Sequence, residues 1–187
     1  MLQGNLVNLV ALEVEHLELL RKWRTAPEVY EYLFDFSFIS KEQQKIWYQN
    51  TLNDQHRKLM IIQDKEEYSL GLVQLVKIDY INHSAEWGFF VGETQQRYGG
   101  HAAEAEFLVL KYAFDILNLN KIYCLTFDFN KKVLSMHKRF GFKEEGIFKK
   151  HIYHQGEYKD VVMMSIFKDD YIANQEYYTG FFARFRK

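Results

Sequence analysis

Residues 89–104 read FFVGETQQRYGGHAAE. An apolar run stops, adjacent glycines follow at Gly99 and Gly100, and a helical pattern begins at about His101. Glycine lets the backbone take positive φ and come close to a ligand. A helix start presents unpaired N–H groups and the positive end of the dipole. Together these make an anion site from backbone alone, with no need for net positive charge. Two known phosphate loops are excluded: the GxxxxGK(S/T) lysine and hydroxyl are missing, and the glycines are not spaced as GxGxxG. A plain strand-to-helix turn would be the simpler explanation. Three further side chains could take part in chemistry. Glu86 stands near the start of the strand-like run 84–91, where a carboxylate could accept a proton. His137 lies four residues before Gly141, and histidine titrates near neutrality, with a reference pKa of about 6.5. Asn130 suits a helix N-cap and could equally face a ligand. Cys124, inside an apolar run, reads as a small core residue. His151 and His154 flank Tyr153 on opposite strand faces and make no metal pair.

The elements that must position these residues are legible from periodicity. Leu6–Leu12 reads as a strand, and Glu13–Arg24 has helical apolar spacing at Val14, Leu17, Leu20 and Trp23. Pro27 ends that helix or opens a short one to about Leu33. Ser40 followed by Gln43 is a capping-box start for a helix over Lys41–Leu52. Lys58–Gln63, Tyr68–Ile78 and Ser84–Val91 read as strands. Ala105, Leu108, Val109, Tyr112, Ala113 and Ile116 form one helical stripe, and Phe107, Leu110, Phe114 and Leu117 form a second, so this helix is covered on most sides. Lys121–Phe127 is a strand, Lys131–Phe140 a helix ended by Gly141, and Phe142–Tyr153 with Glu157–Phe167 a hairpin around Gln155-Gly156. The fold class is α/β (α+β), an antiparallel meander followed by crossovers. One domain over 1–170 is expected, with an aromatic, basic tail over 171–187 that has no assigned role.

Composition narrows the partners. The chain has 187 residues, 48% hydrophobic and 17% aromatic, with a formal net charge of −1. Near-neutral charge gives no basis for a nucleic-acid partner. A single cysteine excludes an internal disulfide and a multi-thiolate zinc site, and no metal is expected. No uncharged apolar run is long enough for membrane insertion. The start MLQGNLVNLV has no basic lead, so no signal peptide and a cytoplasmic location are expected. A homo-oligomer is left open.

The loop Arg97-Tyr98-Gly99-Gly100-His101-Ala102 matches (Q/R)xxGx(G/A) and resembles the acyl-CoA pyrophosphate loop of the GNAT acetyltransferases. EWGFFV (86–91), AAEAEFLVLKYAFDILNLNKIYCLTF (102–127) and NKKVLSMHKRFGFKEEGIFKKHIYHQGEYKDVVMMSIF (130–167) resemble further segments of that family in the same order. The resemblance implies a mostly antiparallel twisted sheet of about seven strands flanked by helices and splayed at the acetyl-CoA site. It implies that the backbone of Phe89, Phe90 and Val91 binds the pantetheine arm, and that N–H groups from Arg97 to Ala102 hold the pyrophosphate. Asn130 would face the same arm. The co-substrate would be acetyl-CoA, the mechanism direct attack by a primary amine, with Glu86 as base. The family often has tyrosine where this chain has His137; that position would protonate the leaving thiolate. KWRTAPEVYEYL (22–33) and ISKEQQKIWYQNTL (39–52) resemble enzymes that acetylate the 4-amino group of a UDP-linked amino sugar, which would put Arg24, Trp47 and Glu86 at the acceptor. GLVQLVKIDYINHSAEW (71–87) instead resembles spermidine acetyltransferases, with Asp35, Glu42 and Glu86 as the obvious carboxylates for a polycation. The same resemblance is compatible with acetylation of a protein N-terminus, and with a domain that binds acetyl-CoA without catalysis.

Overall fold

The computed structural model describes residues 1–35, 37–96 and 99–183. In chain order the elements are β1 (Leu2–Gln3), β2 (Asn8–Ala11), α1 (Leu17–Thr25), α2 (Pro27–Tyr30), α3 (Lys41–Leu52), β3 (Lys58–Gln63), β4 (Ser69–Asp79) and β5 (Ser84–Val91). There follow α4 (His101–Lys111), β6 (Lys121–Phe127), α5 (Lys131–Arg139), β7 (Lys143–His154), β8 (Glu157–Phe167), α6 (Lys168–Ala173) and α7 (Gln175–Ala183). The strands form one sheet of eight, in the order β1-β2-β3-β4-β5-β6-β8-β7. Every neighbouring pair is antiparallel except β5 and β6, which run parallel. The eighth strand, beyond the seven expected, is β1. Its two residues pair Leu2 with Leu9 and Gln3 with Asn8, too short a segment for a period-2 pattern to show.

Local chemistry explains the boundaries. Ser40 Oγ accepts from the Gln43 N–H at 3.1 Å while Gln43 Oε1 accepts from the Ser40 N–H at 2.9 Å, the reciprocal cap that starts α3. Gln155 (φ 50°) and Gly156 (φ 90°) turn the β7–β8 hairpin with positive φ at both central residues. Helix α4 runs on into a wider turn over Tyr112–Ile116, closed by Leu117 N–H to Tyr112 O at 3.0 Å.

Two apolar clusters cover the sheet's faces. The larger joins α4, α5 and α7 to Ala85 and Trp87 of β5, with Phe89 packed against it. The smaller joins Leu17, Leu20 and Trp23 of α1 and Tyr48 of α3 to Ile61 and Leu72, with Phe90 and Trp47 packed against it. Strand alternation therefore sends Trp87 and Phe89 to one side of β5 and Phe90 to the other. The domain end expected at residue 170 needs correction. Tyr171, Tyr178 and Phe182 belong to the larger cluster, and the Tyr178 hydroxyl donates to Phe140 O at 2.8 Å. Residues 171–183 thus pack onto the domain through these three buried side chains. No helix among the described residues is long and apolar enough to cross a membrane.

Candidate active site

The site begins where β5 and β6 part. Their register comprises Ser84–Lys121, Ala85–Ile122 and Glu86–Tyr123, and stops there, although β5 continues to Val91 and β6 to Phe127. On its other edge the far half of β5 stays paired with β4, through Phe89–Val73, Phe90–Leu72 and Val91–Gly71. One edge of Phe89 and Phe90 therefore faces a wedge instead of a strand. An extended molecule could add there by main-chain hydrogen bonding. The wedge is held from behind. The Trp23 indole N–H donates to Glu93 Oε1 at 2.9 Å, and a Cβ on Gly92 would stand 2.1 Å from the Trp23 ring, so this close approach requires glycine.

The glycine loop lies just beyond. Gly100 has φ 84° and caps α4, so the expected left-handed turn is present at the helix N-terminus. Gly99 precedes it in the bend, and His101 and Ala102 form the first turn of α4. Arg97 and Tyr98 lie outside the described residues. Asn130 caps α5, its Oδ1 accepting from the Val133 N–H at 3.4 Å.

His137 is 2% exposed and sits beneath the wedge. Its ring centroid lies 5.3 Å from Trp87, 5.2 Å from Phe142 and 6.3 Å from Phe89. Its Nδ1 is 2.8 Å from Oε1 of Glu106, a fully buried residue of α4. Burial alone would push the imidazole pKa down. The Glu106 carboxylate and the neighbouring Cys124 outweigh that and carry it up to about 10. A raised pKa in the folded state means that the proton favours folding. This contribution is complete below the ordinary value of about 6.5 and fades as pH rises through 10. Relative to Glu106→Leu/His137→Leu, which lacks the pair, the parent protein should lose melting temperature progressively from pH 7 to 10. Scanning calorimetry across that range checks this; a constant difference would mean that His137 holds no extra proton.

Glu86 occupies the last paired position before the wedge, on the opposite face of β5 from Trp87 and hence from His137. It accepts from Lys77 Nζ at 2.7 Å, a hydrogen bond that holds the lysine above its usual range. Burial and the Glu86 carboxylate raise the Tyr123 phenol as well. Of the two other residues expected at the acceptor, Arg24 is occupied by Asp35, both of whose oxygens accept from Nη2 at 2.9 and 3.0 Å. Trp47 is half-buried against the smaller cluster. Tyr32 and Phe34 touch Phe129 and Phe127, so the turn after α2, with Glu31 and Asp35, lies over the end of β6 beside Asp128. A separate cavity of about 430 Å³ lies between α5 and the β7–β8 hairpin, lined by residues of both signs including Lys131, Lys138, Glu144 and Asp160. Among the described residues no group of three or more His, Cys, Asp or Glu could hold a metal.

The sequence pattern did not reveal either buried glutamate of α4. Glu104 accepts N–H bonds from Asn5 at 2.7 Å, Leu6 at 2.6 Å and Val7 at 2.7 Å. Glu106 binds His137. The signal available was the double apolar stripe itself, since a helix covered on most sides leaves its polar residues nowhere to go but inside.

A parallel strand pair opens here, with a left-handed glycine and a helix N-terminus at its mouth, the arrangement that the resemblance to acyl-CoA-binding acetyltransferases implied. The family described as Acetyltransferase (GNAT) domain matches residues 7–143, and the chain belongs to it. It is an acetyl-CoA-dependent N-acetyltransferase. Spermidine N(1)-acetyltransferase of Vibrio cholerae is 29% identical over 170 residues, covering 91% of this chain and 98% of its own length. The solved Vibrio cholerae spermidine N-acetyltransferase in complex with CoA and spermine superposes with a TM-score of 0.86 at 28% identity, covering 90% of this chain and 99% of that one. Acetyltransferase PseH of Campylobacter jejuni is 23% identical over 134 residues, 72% of this chain and 81% of its own length.

Proposed function

We propose that the chain transfers acetyl from acetyl-CoA to a polyamine of the spermidine class. The observation that carries this is the match, over nine-tenths of this chain and nearly the whole relative, to spermidine acetyltransferases. The amino-sugar acceptor expected from the N-terminal helices ranks second to it, because the similarity to PseH covers less of the chain at lower identity. Of the carboxylates available to a polycation, Asp35 pairs with Arg24, Glu42 with Lys45 and Glu86 with Lys77. The Asp35 and Glu42 side chains are 72% and 76% exposed, and ion pairs of that kind contribute about 0–1 kcal/mol. An ammonium group of the acceptor could therefore replace the protein's own cation there.

In this reading the far half of β5 binds the pantetheine arm, and the Gly99–Ala102 backbone binds the pyrophosphate. The neutral amine attacks the acetyl carbonyl, Glu86 takes the amine proton directly or through water, and His137 protonates the thiolate. Glu86→Gln should lower kcat by roughly 10²-fold, the order expected for a general base. The deficit should shrink as pH approaches the amine's own pKa. A kcat equal to the parent's at pH 7 would place the base elsewhere.

Thiol release with spermidine, a UDP-linked 4-amino sugar and a short peptide, measured side by side, tests the acceptor. Spermidine should have the highest kcat/KM by at least about tenfold. The amino sugar is the second reading, favoured by the similarity to PseH. A kcat/KM for it above that of spermidine, with competition by UDP against the amine, would reverse the ranking.

A further inference from the structure

Glu106 and His137 are a buried ion pair with no evident packing purpose. Their side chains are 0% and 2% exposed, and Oε2 of Glu106 has no hydrogen-bond partner in its buried position. Removing two charges from water is costly, and apolar residues of the same volume commonly serve a core at least as well. Shifted ionisable groups of this kind concentrate at functional sites. The pair's location supports the same view. His137 contacts Trp87 and Phe89, the first residues of β5 past the point where β6 leaves it. The titratable groups that face the ring are Glu106 from α4 and Cys124 from β6, and each hydrogen-bonds the imidazole. Tyr178 from α7 lies near Glu106, with its hydroxyl committed to Phe140 O. The remaining neighbours, Trp87, Phe89 and Phe142, are uncharged aromatics.

We propose that Glu106 is a positioning residue for acyl transfer: it binds Nδ1–H of His137, fixes the ring as a loaded cation, and leaves Nε2–H as the proton donor to the CoA thiolate. The inference rests on the acetyltransferase reading of the wedge. The amine nitrogen bonds to the acetyl carbon, the C–S bond breaks, and the sulfur takes the Nε2 proton. The nitrogen's surplus proton leaves to base or water, and the neutral imidazole is reprotonated from water. The products are acetamide and free thiol. Glu106 stays ionised throughout. A lone histidine would be largely unprotonated above pH 7, whereas one beside this carboxylate keeps its proton, as a phenol with a reference pKa near 10 does. The pair thus performs the task that the resemblance assigns to tyrosine.

Glu106→Gln removes the charge and preserves the shape. In this variant kcat at pH 8 should fall about tenfold or more. The alkaline limb of kcat should move down by more than one pH unit, and acetyl-CoA affinity should stay within about twofold. Glu106→Gln/His137→Tyr should recover much of the lost kcat, since a phenol needs no carboxylate to keep its proton. An alkaline limb in Glu106→Gln at the parent's pH, or a double variant no better than the single, would overturn the proposal. The nitrogen-15 shifts of the His137 imidazole in the parent decide the matter without activity and without any variant. Protonation persisting above pH 8 is expected, and titration at or below the ordinary value near 6.5 would overturn it. If no amine releases thiol, the acyl-transfer reading fails even where the imidazole titrates as expected, so the two failures are distinguishable.

Discussion

Gly100→Val should weaken acetyl-CoA binding by about a hundredfold or more while the protein still folds. Two effects act together. Gly100 holds φ 84°, where a β-branched residue is strained. Relief of that strain turns the start of α4 away from the pyrophosphate. Hydrogen bonds to a charged group contribute about 1.5–3 kcal/mol each, and losing two of them exceeds a factor of a hundred. The residual strain, about 1–3 kcal/mol, lowers the melting temperature by several degrees and leaves the core intact. Calorimetric titration of acetyl-CoA into the parent and the variant gives the answer. An unchanged affinity would remove the pyrophosphate from this loop.

Glu104→Ala should cost about 3–5 kcal/mol of unfolding free energy, a drop of about 10 °C or more in melting temperature for a chain of this size. Three backbone N–H groups, from Asn5, Leu6 and Val7, converge on this one carboxylate, which is 1% exposed. Truncation leaves them without an acceptor. Glu104→Gln restores one carbonyl oxygen but turns an amide donor toward other donors, so it should recover only part of the loss. Urea unfolding of the three proteins measures this. A loss under about 1 kcal/mol in Glu104→Ala would mean that water satisfies the turn.

The two buried glutamates also mark the limit of what the sequence discloses. Strands β3, β5 and β6 fall where alternation placed them, and α3 begins at its capping box, because these features are encoded within a few neighbouring residues. The glycine loop was legible for the same reason. Glu104 and Glu106 were not, since their partners lie up to 99 and 31 residues away, and the double apolar stripe that implies their burial does not say what they bind. His137 falls on the expected helix α5. Its charge was not readable, because a reference pKa near 6.5 carries no information about a carboxylate on another helix. Residues 171–183 looked like an appendage because their aromatic residues lack a clean helical stripe. Tyr178 and Phe182 lie four apart on one face of α7, both against Phe107 and Phe140, while the neighbouring Tyr177 is 42% exposed, and that exposed aromatic residue blurs the amphipathic signature.

The N-terminal turn and the last helix meet. Asn5 donates through Nδ2 to Phe182 O at 3.0 Å while its backbone N–H serves Glu104, and Phe182 closes the larger cluster over Phe107. A ribosome releases the chain in order, so the partner of Asn5 emerges 177 residues after it. The helix that carries both buried carboxylates must wait, partly uncovered, until α7 has been made. Nascent chains stalled before residue 178 should therefore lack protease resistance across α4, and acquire it only when the final helix clears the exit tunnel.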